Sequence, residues 1–86
     1  MTELRTMERL EGVVWKARVF SSIKPGDYFR LFEPDGMQVF DNDLTFMWQA
    51  TSDAYFTWQD GENVLMVDCI PIDPEKEGLE IKEYVI

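Results

Sequence analysis

Asp-Gly pairs stand at positions 35–36 and 60–61, each between an aromatic run and an aliphatic one. In the first, Tyr28-Phe29-Arg30-Leu31-Phe32 leads through Glu33-Pro34-Asp35-Gly36 into Met37-Gln38-Val39-Phe40. Twenty-seven residues on, Tyr55-Phe56-Thr57-Trp58 leads through Gln59-Asp60-Gly61-Glu62-Asn63 into Val64-Leu65-Met66-Val67. Glycine accepts the positive φ that closes a tight turn, and the flanks are rich in the residue types that suit a pleated surface. Each phrase therefore predicts a β-hairpin. Two copies fall short of the three or more units that a solenoid needs, so they read as hairpins of one sheet.

The remaining segments fit around these hairpins. Thr2 to Glu11 spaces Leu4, Met7 and Leu10 three apart, which predicts a short N-terminal helix capped by Thr2 and ended by Gly12. About ten residues is marginal for a helix without packing. Val13 to Phe20 alternates apolar residues with Lys16 and Arg18 and reads as a strand, and Ser21 to Asp27, with Pro25-Gly26, reads as a turn. Leu44 to Thr51 fits either a helix with Asp43 as N-cap or a strand alternating Phe46, Trp48 and Ala50, and its aromatic content favours the strand. Val64 to Ile70 extends as a strand, Pro71 to Gly78 with its two prolines reads as a loop, and Leu79 to Ile86 alternates as a last strand.

The expected fold is mainly β, with β-rich α+β as the variant. It is a small curled antiparallel sheet or barrel of about six strands with the short N-terminal helix, in a single domain over residues 1–86. Twelve aromatic residues among 86 make the chain too apolar for a disordered acidic tail despite its net charge of −9. No apolar run reaches the length of a transmembrane helix, and Met-Thr-Glu-Leu-Arg lacks the apolar core of a signal peptide. The single cysteine, Cys69, has no internal disulfide partner. A cytoplasmic location is expected.

The chemistry of catalysis is thinly represented. Without histidine the commonest general base and the commonest metal ligand are both missing, and neither a P-loop nor a Gly-x-Gly-x-x-Gly turn is present. Cys69 lies in an apolar run with no neighbouring base to stabilise a thiolate and is expected to be buried and inert. Asp41-Asn42-Asp43 lacks the glycine and the terminal glutamate of a calcium loop, so an Asx-rich turn explains it better. Carboxylate pairs for glycoside cleavage would need a cleft wall that 86 residues scarcely supply. No catalytic residue, cofactor or metal site is expected.

Charge carries the functional expectation. Residues 1–30 hold six bases against four acids, whereas residues 31–86 hold thirteen acids against Lys76 and Lys82. Between 31 and 70 there is no base at all. Such a field repels nucleic acid and anionic membrane and attracts basic proteins. The aromatic residues Trp15, Trp48, Trp58, Phe29, Phe46 and Tyr55 lack the flanking bases of a single-strand stacking platform, so core filling is their expected role. The adjacent pairs Tyr28-Phe29 and Tyr55-Phe56 should nonetheless leave one member exposed.

The expected function is a non-catalytic acidic protein-binding module whose surface residues are Glu33, Asp35, Asp41, Asp43, Asp60 and Glu62. Its expected partner is a basic protein of the nucleic-acid-binding kind, met by imitation of a phosphate lattice. In size, acidity and lack of catalytic residues the chain is similar to the small inhibitors that phages and mobile elements make against host nucleases. The alternative is a generic oligomeric structural or interaction domain whose acids serve solubility. A homodimer paired through Leu79 to Ile86 is a further expectation, because that strand is apolar on both faces.

Overall fold

A computed structural model of the chain describes residues 5–82. Among the described residues seven strands run in order: β1 (Thr6–Glu11), β2 (Val14–Arg18), β3 (Tyr28–Phe32), β4 (Trp48–Ala50), β5 (Tyr55–Gln59), β6 (Glu62–Met66) and β7 (Cys69–Pro71). A 3-10 turn occupies Phe20–Ser22, and a single helical turn, α1, occupies Pro74–Glu77. Five strands form an antiparallel sheet in the order β2-β1-β3-β4-β7, and β5 and β6 form a separate two-stranded sheet. The mainly-β expectation holds, but among the described residues the sheet stays open and no barrel closes. Its outer strands, β2 and β7, do not meet, and β7 is only three residues long and ends in a proline, which lacks a backbone donor.

The N-terminal helix is replaced by a strand. β1 lies between β2 and β3 and bonds to both along its length, which satisfies far more backbone than one isolated helical turn would. Alternation then sends Met7 into the core and Leu10 to the other face beside Trp15, undoing the helical stripe. Gly12, at φ +67°, does not end a helix but starts the two-residue turn from Glu11 to Val14. Thr2 and Leu4 lie outside the described residues.

The core rests on one face of the five-stranded sheet. Met7, Phe29 and Ala50 are buried there beneath Ile23, with Phe20, Leu31, Trp48 and Val67 packed around them. The rings of Phe29 and Trp48, directly paired across β3 and β4, have centroids 6.2 Å apart. Ile23 is brought in by the 3-10 turn and by reciprocal bonds that pin the following turn to β4, Gly26 N–H to Ala50 O and Ala50 N–H to Asp27 O, each 2.9 Å. Met47 and Ile72 are also buried, outside that cluster, and are joined by the Ile72 N–H to Met47 O bond of 3.1 Å.

The two hairpin phrases diverge. The second forms as expected, with Asp60 and Gly61 both at positive φ (52° and 78°) between β5 and β6, the pattern of a type I′ turn. The first turns at Asp35-Gly36, but its return limb makes only an isolated bridge, Phe32 to Gln38, with a Val39 N–H to Leu31 O bond of 2.9 Å. It can go no further because β4 already occupies that edge of β3 at Phe29 and Tyr28.

Residues 44–50 are extended only over β4. The carboxylate of Asp41 accepts from Asp43 N–H and Thr45 N–H at 2.8 Å each, and Leu44 takes a left-handed φ of 62°, so neither a helix nor a strand can begin there. The strand expected over 64–70 breaks at Val67-Asp68, where β6 ends and β7 turns to pair with β4. The expected loop 71–78 contains α1, capped by Asp73 accepting from Glu75 N–H at 3.0 Å and closed by Gly78 at φ +68°. Of the expected last strand, residues 79–82 are described and make one parallel bridge, Lys82 to Val14, beside the outer strand β2; the rest lies outside the described residues.

Truncating Phe29, which is 1% exposed, to alanine should cost about 3–5 kcal/mol, whereas Phe56→Ala, at 66% exposure, should change stability by less than about 1 kcal/mol. Urea unfolding of the two variants checks the contrast.

Candidate functional site

The six acids singled out from the sequence occupy three turns. Glu33 and Asp35 lie in the turn after β3, where Asp35 accepts from Met37 N–H at 2.9 Å. Asp41 and Asp43 lie in the next turn, the Asx turn described above. Asp60 and Glu62 lie at the tip of the β5–β6 hairpin. Among the described residues no hydrogen bond joins one of these turns to another. The first five fulfil the expectation of carboxylates on turns, and Glu62 begins β6.

Ion pairing divides the charge unequally. Arg5 meets Glu33 at 2.8 Å, Arg9 meets Glu11 at 2.9 Å and Asp27 at 3.5 Å, Arg18 meets Glu11 at 2.8 Å, Lys24 meets Asp53 at 3.5 Å, and Arg30 meets Glu8 at 2.7 Å. Of the six candidate acids only Glu33 therefore has a cationic partner among the described residues. Five of the six bases of the first third are occupied locally, Lys16 being exposed and outside these pairs, and five of the six candidate acids have no cationic partner among the described residues.

Arg30 shows how this fold holds a guanidinium. It lies 4.5 Å from the ring centre of Trp15 and 5.3 Å from that of Phe32, with Glu8 accepting from its Nε at 2.8 Å. Pairing of Arg30 with Glu8 across β3 and β1 puts all four side chains on the face opposite the main core. The indole Nε1–H of Trp15 is buried with no hydrogen-bond partner among the described residues. The cation, the two rings and the carboxylate were each visible in the sequence, but their meeting depends on β1 being a strand, which helical spacing concealed.

The β5–β6 hairpin is an arm. It is inserted between β4 and β7, whose legs continue together through Thr51 N–H to Asp68 O at 2.8 Å and Asp68 N–H to Ser52 Oγ at 3.0 Å. Register places Phe56 and Trp58 on one face and Tyr55, Thr57 and Gln59 on the other. Phe56 is 66% and Trp58 is 73% exposed, so the expectation that Trp58 fills a core is corrected. Two strands alone have no second layer to bury a face against. Tyr55 is exposed as well, and its hydroxyl donates to Asp68 Oδ1 at 2.7 Å, which together with the carboxylate charge raises its pKa. The adjacent pair Tyr28-Phe29 splits between the two faces, with Phe29 buried, but Tyr28 is half-buried rather than exposed.

Two other features bear on chemistry. Cys69 is exposed rather than buried, because β7 is the outer strand and has no neighbour beyond it. Its thiol pKa is nevertheless pushed up, first by partial burial of the sulfur and then by the adjacent Asp68. An open groove of about 570 Å³, lined by Met7, Val19, Phe20 and Leu65 among others, has Arg5 and Arg18 at its margin, both engaged with glutamates. Among the described residues no three His, Cys, Asp or Glu side chains group closely enough to hold a metal ion, and no helix is long and apolar enough to cross a membrane.

No protein-family model, curated protein or solved structure matches this chain.

Hydrogen bonds from Arg18 and then Arg9 hold the Glu11 carboxyl below its ordinary value of 4.5. A depressed carboxylate stabilises the fold above its unfolded pKa and loses that contribution as pH falls through the folded value. Glu11→Gln should therefore be less stable than the parent at neutral pH, and the gap should close below the ordinary carboxylate range, as followed by thermal unfolding against pH. Cys69 should label fully under native conditions at neutral pH, yet more slowly than free cysteine, with the rate still rising above pH 9.0, its ordinary value. Thiol-reagent kinetics across pH measure both effects.

Proposed function

We propose that this chain is a non-catalytic protein-binding module that offers uncompensated carboxylates to a basic partner. The observation that carries the reading is the division of ion pairs. Arg5, Arg9, Arg18, Lys24 and Arg30 are each engaged by a nearby acid, leaving Lys16 as the one base of that segment outside an ion pair among the described residues, while Asp35, Asp41, Asp43, Asp60 and Glu62 face solvent without a cation among them. A surface that served only solubility would intersperse both signs. Here no base occurs between Arg30 and Lys76, and of the candidate acids on the later turns and arm only Glu33 meets a base among the described residues.

The acids stand at three separate places, two turns after β3 and the tip of the β5–β6 arm, rather than in one cluster. Charges spaced along a scaffold resemble a polyanion more than they resemble a single binding pocket, which supports the finer reading that the module imitates nucleic acid toward a nucleic-acid-binding protein. Attraction of that kind speeds encounter and weakens as salt screens it.

The test is capture of proteins from the source organism on the immobilised chain, with elution by salt and competition by duplex DNA. A captured partner should be basic and should be released by both. Replacing Asp35, Asp41 and Asp43 by asparagine should weaken its binding by more than about tenfold, whereas Glu75→Gln, Glu77→Gln and Glu80→Gln together should change it by less than about threefold, since isolated exposed pairs contribute only about 0–1 kcal/mol each. A partner indifferent to salt, to DNA and to the first set of changes would overturn the reading.

A further inference from the structure

We propose that the Phe56–Trp58 face of the β5–β6 arm receives an arginine-rich segment of the basic partner, with a guanidinium stacked on Trp58 and the carboxylates of the arm tip as its counter-ions. This deepens the proposed function and rests on it.

The argument begins with an exposed apolar face that the chain itself leaves uncovered. Phe56 and Trp58 stand two residues apart on one strand, roughly 7 Å along it, and point to the same side. Trp58 is two residues from Asp60 at the turn and is paired across the hairpin with Asn63, which is next to Glu62. From Thr51 to Glu75 the chain contains no lysine or arginine, and Arg5 and Arg18, which line the groove reached by Leu65 opposite Phe56, are held by Glu33 and Glu11. Asp60 and Glu62 have no ion-pair partner among the described residues.

Charge decides which occupant fits. A second copy would bring another net charge of −9 to an acidic arm, and nucleic acid would bring phosphates, so both are opposed by repulsion. A purely apolar partner would have to desolvate Asp60 and Glu62 without compensating them. A cationic segment meets both demands, and arginine meets them better than lysine, because its planar guanidinium stacks on an aromatic face while donating in fork geometry to carboxylates.

The molecule already uses this chemistry on itself. On the sheet, one tryptophan (Trp15), one phenylalanine (Phe32) and one glutamate (Glu8) hold Arg30. On the arm, one tryptophan and one phenylalanine share a face with Asp60 in the turn just beyond them, while Glu62, paired with Gln59, stands at the tip on the opposite face. The same residue types are displayed, and the missing member is the cation.

The experiment titrates a fluorescein-labelled oligo-arginine peptide, and an oligo-lysine peptide of equal length, with the full chain at low and at near-physiological salt. The arginine peptide should bind about fivefold more tightly, and the difference should survive the higher salt better than the total affinity does. Phe56→Ser with Trp58→Ser should lower arginine-peptide affinity about tenfold and abolish the preference over lysine. Asp60→Asn with Glu62→Gln should weaken both peptides alike, which guards against a fold defect in the first pair. Urea midpoints close to the parent's should accompany both pairs of changes, because all four residues are exposed. If both peptides bind equally and the aromatic changes have no effect, this inference fails while the acidic-surface reading survives. If neither peptide binds, both fail. Sedimentation showing a dimer that Trp58→Ser dissociates would overturn the inference by making a second copy the occupant.

Discussion

Phe29 lies where the constraints of this small domain meet. Its strand is paired on both sides, with Arg9 opposite it on β1 and Trp48 on β4, and its ring is sealed beneath Ile23. A sheet of five short strands has one substantial apolar face to bury, and here that face is centred on a single ring. The position of Ile23 in turn depends on the turn pinned to β4 by Gly26, Asp27 and Ala50. Arg9 reinforces the same corner by donating to Ser22 O at 3.3 Å and meeting Asp27 at 3.5 Å. Strand order, the overlying segment and the entry into β4 are thus coupled through a few contacts.

The two faces of the sheet have different chemistry. One is closed by packing, and the other carries the Trp15–Arg30–Phe32–Glu8 group, in which charge is retained but matched. The surplus acidity lies away from both, on connecting turns and on the arm, where carboxylates remain hydrated and cost little. The fold thereby tolerates a net charge of −9 without placing it where strands must meet.

Much of this was legible in the sequence, where local chemistry and tertiary context agree. Asp60-Gly61 between alternating flanks specified a hairpin because a two-residue turn and strand twist require that geometry. Asp35-Gly36 specified a turn but not its second strand, because the edge available to Met37–Phe40 depends on where β4 pairs, which is set 10 residues later. Thr2 to Glu11 misled because Leu4, Met7 and Leu10 satisfy a helical spacing, while the pairing of β1 with two neighbours is non-local and leaves no mark in a short window. Five of the six candidate acids lie on turns, as the Asp-Gly and Asx signals implied, and Glu62 begins β6. The exposure of Trp58 and Cys69 was not foreseen, because residue type signals burial only when a second layer exists, and neither the arm nor the outer strand β7 has one.

The insertion of the arm between two paired strands also bears on the order in which the chain can assemble. Ala50 and Cys69 are partners, yet 18 residues separate them. If β5 and β6 zip first around Asp60-Gly61, only the legs 51–54 and 67–68 remain to be ordered when β7 reaches β4. Shortening the effective loop threefold lowers its closure entropy by about 1 kcal/mol. A local event on the microsecond scale thereby prepares a non-local one, and the contact order of the outer strand is lower in practice than its sequence separation implies.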